Sequence, residues 1–208
     1  LMDWILEGNG SSDKKISNYS TISGRGVNVT AECTLSERVL REVLRTSSAK
    51  MLQAFSPSRK LAEMDGMFGY NINVANAVAA IFVATGQDLA CIHESSVGVL
   101  NLQPVDEGLH ISLNLPNLVI GTVGGGTRLA KQSEALKILG CHGNRKVERF
   151  AKLIAGFALS LEISTYAAIV SGEFAKAHER LGRNKPVEWL VRSELTSPFL
   201  ANCLGDFE

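Results

Sequence analysis

The chain has 208 residues, 21 basic and 21 acidic side chains, and a hydrophobic share of 45%. That length fits one domain with an appendage, and that apolar share supplies a core, which excludes a disordered chain. Balanced charge excludes a long-range pull on nucleic acid or anionic lipid, so any phosphate-bearing ligand must be caught by a local site.

Cys33, Cys91, Cys141 and Cys203 form no CxxC pair. This points to reduced thiols rather than to a metal site or a disulfide framework. No apolar run is long enough to span a bilayer; the best, Leu153 to Leu161, is interrupted by Gly156 and Ser160. No basic region precedes an apolar one at the start, so no signal peptide is expected. The opening Leu1, in place of a methionine, suggests a fragment or a processed chain.

In chain order, Gly8-Asn9-Gly10-Ser11-Ser12-Asp13-Lys14-Lys15 is a loop that gathers one carboxylate and two ammonium groups. It is either a solvated charged turn or part of a site. Gly24-Arg25-Gly26 is a turn, and Val27 to Ala31 alternates as a strand. Ser36 caps a helix through Val39, Leu40, Val43 and Leu44. Thr46 to Ala54 continues or breaks that helix. Ser56-Pro57-Ser58-Arg59-Lys60 reads as a loop, and Gly66 and Gly69 keep the next segment irregular.

Asn71 to Thr85 is an apolar helix expected to be buried all round, with Gly86 past its end. Asp88 follows at the core edge, where desolvation raises a carboxyl pKa, or it is an ordinary turn residue. His93 to Leu102 and Leu109 to Leu115 are two strands of a hairpin closed by Gln103 to Gly108.

Gly121-Thr122-Val123-Gly124-Gly125-Gly126-Thr127 lies between a strand, Pro116 to Ile120, and a helix, Arg128 to Leu139. Glycine accepts φ > 0 and lets N–H groups approach a ligand, and a helix start adds free donors. The spacing is neither the dinucleotide fingerprint nor the P-loop. Alone, the stretch is a tight turn or a ligand loop.

Asn144 to Leu181 is the longest helical pattern, with a break expected near Ser171-Gly172. His178 lies near a helix end, where a cation is favoured, which suits a proton donor or a plain exposed residue. A short helix near Val187 to Glu194 and a tail complete the chain.

Four stretches occur together in a fixed order: Ser12-Asp13-Lys14-Lys15, Gly86-Gln87-Asp88, Gly121 to Thr127, and Lys176-Ala177-His178. With Arg41-Glu42-Val43-Leu44, Gly69-Tyr70-Asn71 and Ala75-Asn76, they resemble the C-terminal part of the catalytic region of hydroxymethylglutaryl-coenzyme A reductases, from about residue 5 to residue 184. The match is closer to the biosynthetic, NADPH-using class.

The resemblance implies an α+β fold with a central buried long helix, packed helices and a small mixed or antiparallel sheet. Residues 1–16 would end the cofactor domain and carry the lysine loop. Residues 17–184 would form the large substrate-binding domain, and 185–208 a tail. It implies an NADPH-dependent oxidoreductase that reduces hydroxymethylglutaryl-coenzyme A to mevalonate and coenzyme A. It also implies a homodimer or higher assembly with the active site at the interface. No nucleic acid and no metal enter. The location is cytoplasmic, or the cytosolic face of the endoplasmic reticulum if an anchor precedes the chain.

Lys14, Asp88 and His178 resemble the catalytic lysine, aspartate and histidine. Asp13, Lys15 and Asn76 resemble substrate-binding residues, and Val123, Gly124, Gly125 and Gly126 the cofactor-side loop. The family's catalytic glutamate and small cofactor domain would lie upstream. Glu7 and Asn73 replace a usual serine and histidine, and the segment Ala62 to Phe68 departs from the family pattern. The alternative is a diverged, non-catalytic relative that binds coenzyme A thioesters or partner subunits.

Overall fold

The computed structural model describes residues 12–181. Glu7, Cys203, the helix expected near 187–194 and the tail 185–208 lie outside the described residues. The chain divides into two compact units, one ending at Ser171 and one beginning at Gly172.

In the first unit, β1 (Val27–Ser36), β2 (Val99–Val105) and β3 (Gly108–Leu118) form an antiparallel sheet in the order β1-β3-β2. Alternation along β3 buries Leu109, Ile111, Leu113 and Leu115 on one face. The opposite face carries His110, Ser112 and Asn114 beside Thr30, Glu32 and Thr34 of β1. The hairpin turn is tighter than expected: both strands run to Val105 and from Gly108, so Pro104 sits within the edge strand β2, where a missing N–H is tolerated.

The helices of this unit are α1 (Asn18–Ser23), α2 (Glu37–Glu42), α3 (Ser48–Met64), α4 (Val74–Thr85), α5 (Ile92–Ser95), α6 (Ala130–Ile138) and α7 (Val147–Val170). The fold is α+β, as the resemblance implied. The central helix is α7, which packs on β1, β3, α4 and α3 and buries Phe150, Ile154, Ala158 and Tyr166, the last against Phe55 of α3. By length and composition α7 would also pass as a membrane span, against the expectation that no run reaches that length. Its buried face is that of a core helix. Gly172, at φ 76°, ends the helical run, and α8 (Glu173–Leu181) belongs to the second unit.

Several local expectations are corrected. Ser56 to Lys60 is not a loop, because Pro57 lies inside α3. The turns around it hold: Ser56 and Ser58 donate their hydroxyls to Leu52 O (3.2 Å) and Ala54 O (2.9 Å). Met51, Phe55 and Ala62 bury the inner face of this helix, so packing overrides the breaker. Of Ala62 to Phe68, the part through Met64 is helical as well.

His93 to Ser95 is helical in α5 rather than the start of a strand. The helix expected from Asn71 begins at Val74, and it is not buried all round, since Asn76 and Val83 are exposed. Of the strand expected over Pro116 to Ile120, Val119 and Ile120 lie beyond β3 and Pro116 to Leu118 form its end. There the register slips: Val27 pairs Leu118 and Val29 pairs Leu115, leaving an extra residue on β3. Pro116 falls within this bulge, beyond the last β2 partner Asn114, where no ladder N–H is lost.

Candidate active site around Lys14 and Asp88

Helix α4 ends in a left-handed glycine, Gly86, at φ 71°. A Cβ there would lie 2.3 Å from Gly126 O, and a Cβ on Gly126 would lie 2.5 Å from Gly86 O. Two glycines therefore let the α4 end and the glycine stretch meet backbone to backbone. Buried Gln87 locks the contact, accepting the Gly121 N–H at 2.7 Å while donating to Thr85 O at 3.2 Å.

The stretch is neither an open loop nor a direct helix start. It folds into a 3₁₀ turn over Gly125–Arg128, in which the Thr127 hydroxyl donates to Gly124 O at 2.6 Å. Helix α6 begins two residues later than the sequence pattern put it. Gly124 and Gly125, at φ 78° and 50°, have nothing within 4 Å of where a Cβ would stand. They present bare backbone to a groove of about 500 Å³, walled also by Phe82, Val83, Asp88, Val123 and Leu129.

Asp88 opens a 3₁₀ turn, Leu89–Cys91, by accepting the Ala90 N–H at 3.0 Å. Its other oxygen meets Lys14 Nζ at 2.8 Å. This pair lies within one chain. The side chains of Lys14 and Asp88 are 39% and 52% exposed. Of its two readings, Asp88 is thus the turn residue and not a desolvated carboxyl. The Lys14 hydrogen bond, aided by the Ala90 N–H, holds its pKa below the usual carboxylate value. The same hydrogen bond and charge raise Lys14 above the usual lysine value.

Lys14 has a left-handed backbone, φ 58°. Its N–H donates to Glu94 Oε1 at 3.1 Å, and the Lys15 N–H closes a turn on Ser12 O at 3.1 Å. Glu94, on α5, is 2% exposed. Arg25 Nη2 donates to its Oε1 at 2.5 Å, and Asn117 Nδ2 to its Oε2 at 2.9 Å. Burial pushes the Glu94 carboxyl up, but the Arg25 and Asn117 hydrogen bonds outweigh it and hold the group below its usual range. Arg25 also pairs with Asp13, and Asn117 Oδ1 accepts the Gly26 N–H at 2.7 Å.

The structure therefore brings Lys14, Asp13 and Asp88 together and sets Asp88 and Val123 to Gly126 around one groove. Lys15 is exposed beside the pair. Asn76 is exposed on α4, and its side chain makes no hydrogen bond among the described residues. His178 lies on α8 in the second unit, with Nδ1 2.9 Å from Phe174 O and its ring 4.3 Å from the Phe174 ring. Among the described residues no group of three or more His, Cys, Asp or Glu is placed to hold a metal ion. Cys33, Cys91 and Cys141 are free thiols.

Sequence reasoning treated Gly24-Arg25-Gly26 as a turn alone, and it placed Glu94 in a strand. Asn117 was equally hidden. Pro116 inside an alternating strand was the available signal, because it marks the bulge that directs Asn117 inward.

The family model described as hydroxymethylglutaryl-coenzyme A reductase matches residues 3–183. The 3-hydroxy-3-methylglutaryl-coenzyme A reductase of Methanocaldococcus jannaschii is 40% identical over 183 residues, covering 86% of this chain and 44% of that protein. The Methanothermobacter thermautotrophicus protein of the same name is 38% identical, covering 86% of this chain and 45% of its own length. The Zea mays protein is 38% identical over 207 residues, covering 94% of this chain and 36% of its own length. The chain thus spans less than half the length of each of these relatives.

Proposed function

Because the chain belongs to the hydroxymethylglutaryl-coenzyme A reductase family, we propose that it forms part of the machinery that reduces 3-hydroxy-3-methylglutaryl-coenzyme A to mevalonate and coenzyme A with NADPH. The observation that carries this reading is the Lys14–Asp88 pair at 2.8 Å, beside a groove whose wall is bare glycine backbone.

Gly124 and Gly125 suit a flat cofactor edge, since any Cβ there would project into open space that a ligand needs. Val123, Gly124, Gly125 and Gly126 are the residues of this chain that would lie against NADPH. When bound, NADPH would supply hydride to the thioester carbonyl carbon, and a second NADPH would supply it to the aldehyde carbon.

Each addition places negative charge on an oxygen. The Lys14 ammonium is held protonated by Asp88 and donates a hydrogen bond to that oxygen. Asp88 fixes where the ammonium sits and compensates its charge. Lys15 and Asp13 hold the hydroxymethylglutaryl end, an ammonium for the terminal carboxylate and a carboxylate for the hydroxyl. Asn76 orients polar groups of the substrate. His178 protonates the departing coenzyme A thiolate, which would otherwise add back. Assembly as a homodimer and a cytoplasmic location belong to the same proposal.

The test uses a longer protein that carries this chain together with the preceding region. NADPH consumption dependent on hydroxymethylglutaryl-coenzyme A, abolished by Lys14→Ala, supports the reading. A folded protein that binds the thioester but consumes no NADPH would instead indicate a non-catalytic relative.

A further inference from the structure

We propose that Glu94 and Arg25 are positioning residues, which clamp the Lys14 loop so that the lysine ammonium is delivered to Asp88. The inference rests on the reductase reading only for its effect on turnover; the clamp itself is a matter of geometry.

Lys14 sits at φ 58°, a backbone state that L residues adopt only when surrounding contacts enforce it. The contacts that enforce it converge. The Lys14 N–H ends on Glu94 Oε1 at 3.1 Å. The neighbouring Asp13 carboxylate ends on Arg25, whose Nη2 is 2.5 Å from Glu94 Oε1. Arg25 Nε adds contacts of 3.2 and 3.4 Å to the two Glu94 oxygens, making the fork that guanidinium geometry favours. Asn117, turned inward by the β3 bulge, fixes Glu94 Oε2 at 2.9 Å.

Asp88 and Glu94 also stand on one short stretch, the 3₁₀ turn and α5. Lys14 is therefore tied at both ends to the same segment: backbone N–H to Glu94, Nζ to Asp88. Clamp and acceptor move together, and that rigidity sets the position of the ammonium. The charged and titratable groups facing Lys14 Nζ are Asp88, Asp13 and Cys91. Glu94 acts on it through the backbone.

The test follows the titration of Lys14 by NMR in the 208-residue chain, with the signal assigned through Lys14→Arg. Glu94→Gln and Arg25→Gln are expected to bring the Lys14 titration down toward that of a free lysine and the Asp88 titration up toward that of a free aspartate. Arg25→Lys, which keeps charge without the fork, is expected to restore part of the shift. Glu162→Gln alters a buried carboxylate elsewhere; it should lower the melting temperature and leave Lys14 where it is. If Glu94→Gln does not fold, Arg25→Gln carries the same test at a side chain 47% exposed.

An unmoved Lys14 titration in the folded Glu94 and Arg25 variants overturns the proposal. In a longer, active protein the same variants should lower kcat by about 10²-fold with little change in KM, as a misplaced catalytic group does. A shifted titration without reduction by any longer protein leaves the clamp standing and removes the reductase reading. Reduction that needs Lys14 but ignores Glu94→Gln, with Lys14 unmoved, removes the clamp alone.

Discussion

Lys14 Nζ and Asp88 Oδ2 lie 2.8 Å apart, joining a loop at the start of the described chain to the end of a core helix 74 positions later. Both side chains are more than a third exposed, so solvent screens the pair and its share in stability is small. Its value is in orientation. We expect Asp88→Asn to leave the melting temperature near that of the parent. In a longer, active protein, the same change should reduce NADPH oxidation by about 10²-fold, as a misplaced catalytic group does. The pH signs follow the shifts. Asp88 is lowered, so its contribution is present above about pH 3.9 and fades as pH falls through its folded value. Lys14 is raised, so its contribution is present below about pH 10.4 and fades as pH rises through its folded value. A substrate-saturated pH–rate profile unchanged in Asp88→Asn would contradict the role.

The glycines of the site divide into two kinds with separable consequences. Gly86→Ala forces a Cβ to within 2.3 Å of Gly126 O at a φ of 71°. The left-handed strain alone costs about 1–2 kcal/mol, and the backbone clash adds to it, so thermal melting should fall by several degrees. Gly125→Ala carries similar strain but meets nothing within 4 Å. It should cost less stability and, in a longer, active protein, weaken binding of the proposed NADPH, because the new methyl occupies the groove. Equal melting losses with unchanged cofactor affinity would refute the division.

The layout of the sheet's buried face, the long helix and its stop at Gly172 were legible from period and punctuation. Leu109, Ile111, Leu113 and Leu115 alternate over β3, and no competing force disturbs that pattern. Pro57 misled because a breaker was weighed without the buried Met51, Phe55 and Ala62 that keep α3 whole. The site was legible only through its motifs, and its support was not. Arg25 and Glu94 meet across 69 positions, and no local pattern records such a pairing. Asp88 read as either a desolvated carboxyl or a turn residue, and neither reading named the ammonium 74 residues away that decides its ionisation.

Asn117 offers a test of the bulge. It is 2% exposed, accepts the Gly26 N–H at 2.7 Å and donates to Glu94 at 2.9 Å. Asn117→Ala leaves the Gly26 N–H without its acceptor and Glu94 Oε2 with only the 3.4 Å Arg25 Nε contact, at a cost of about 1–3 kcal/mol. Asn117→Asp places a second carboxylate against Glu94 and should cost more at neutral pH, with the difference shrinking as the solution is acidified. Denaturant unfolding of both variants at two pH values reads this directly.

Glu162 is the deepest carboxyl described, with no exposed surface, in the middle of α7. It accepts the Ile72 and Asn73 N–H groups at 2.8 and 2.6 Å. It therefore caps the start of α4 from another helix, where the Asn73 side chain makes no cap. Burial raises its pKa, and the backbone donors of Asn73, Ile72 and Val74 only partly offset this. A raised carboxyl binds its proton more tightly when folded. Its favourable contribution is full below about pH 4.3 and is lost as pH rises through the folded value. Glu162→Gln removes that slope. It also turns an amide nitrogen toward backbone N–H donors, leaving one unpaired, so stability at neutral pH should fall by about 1–3 kcal/mol. The two effects separate on one plot of unfolding free energy against pH: the variant's line should be lower at acid pH and flatter above it. A parallel line, displaced but equally steep, would show that Glu162 does not titrate between the two states.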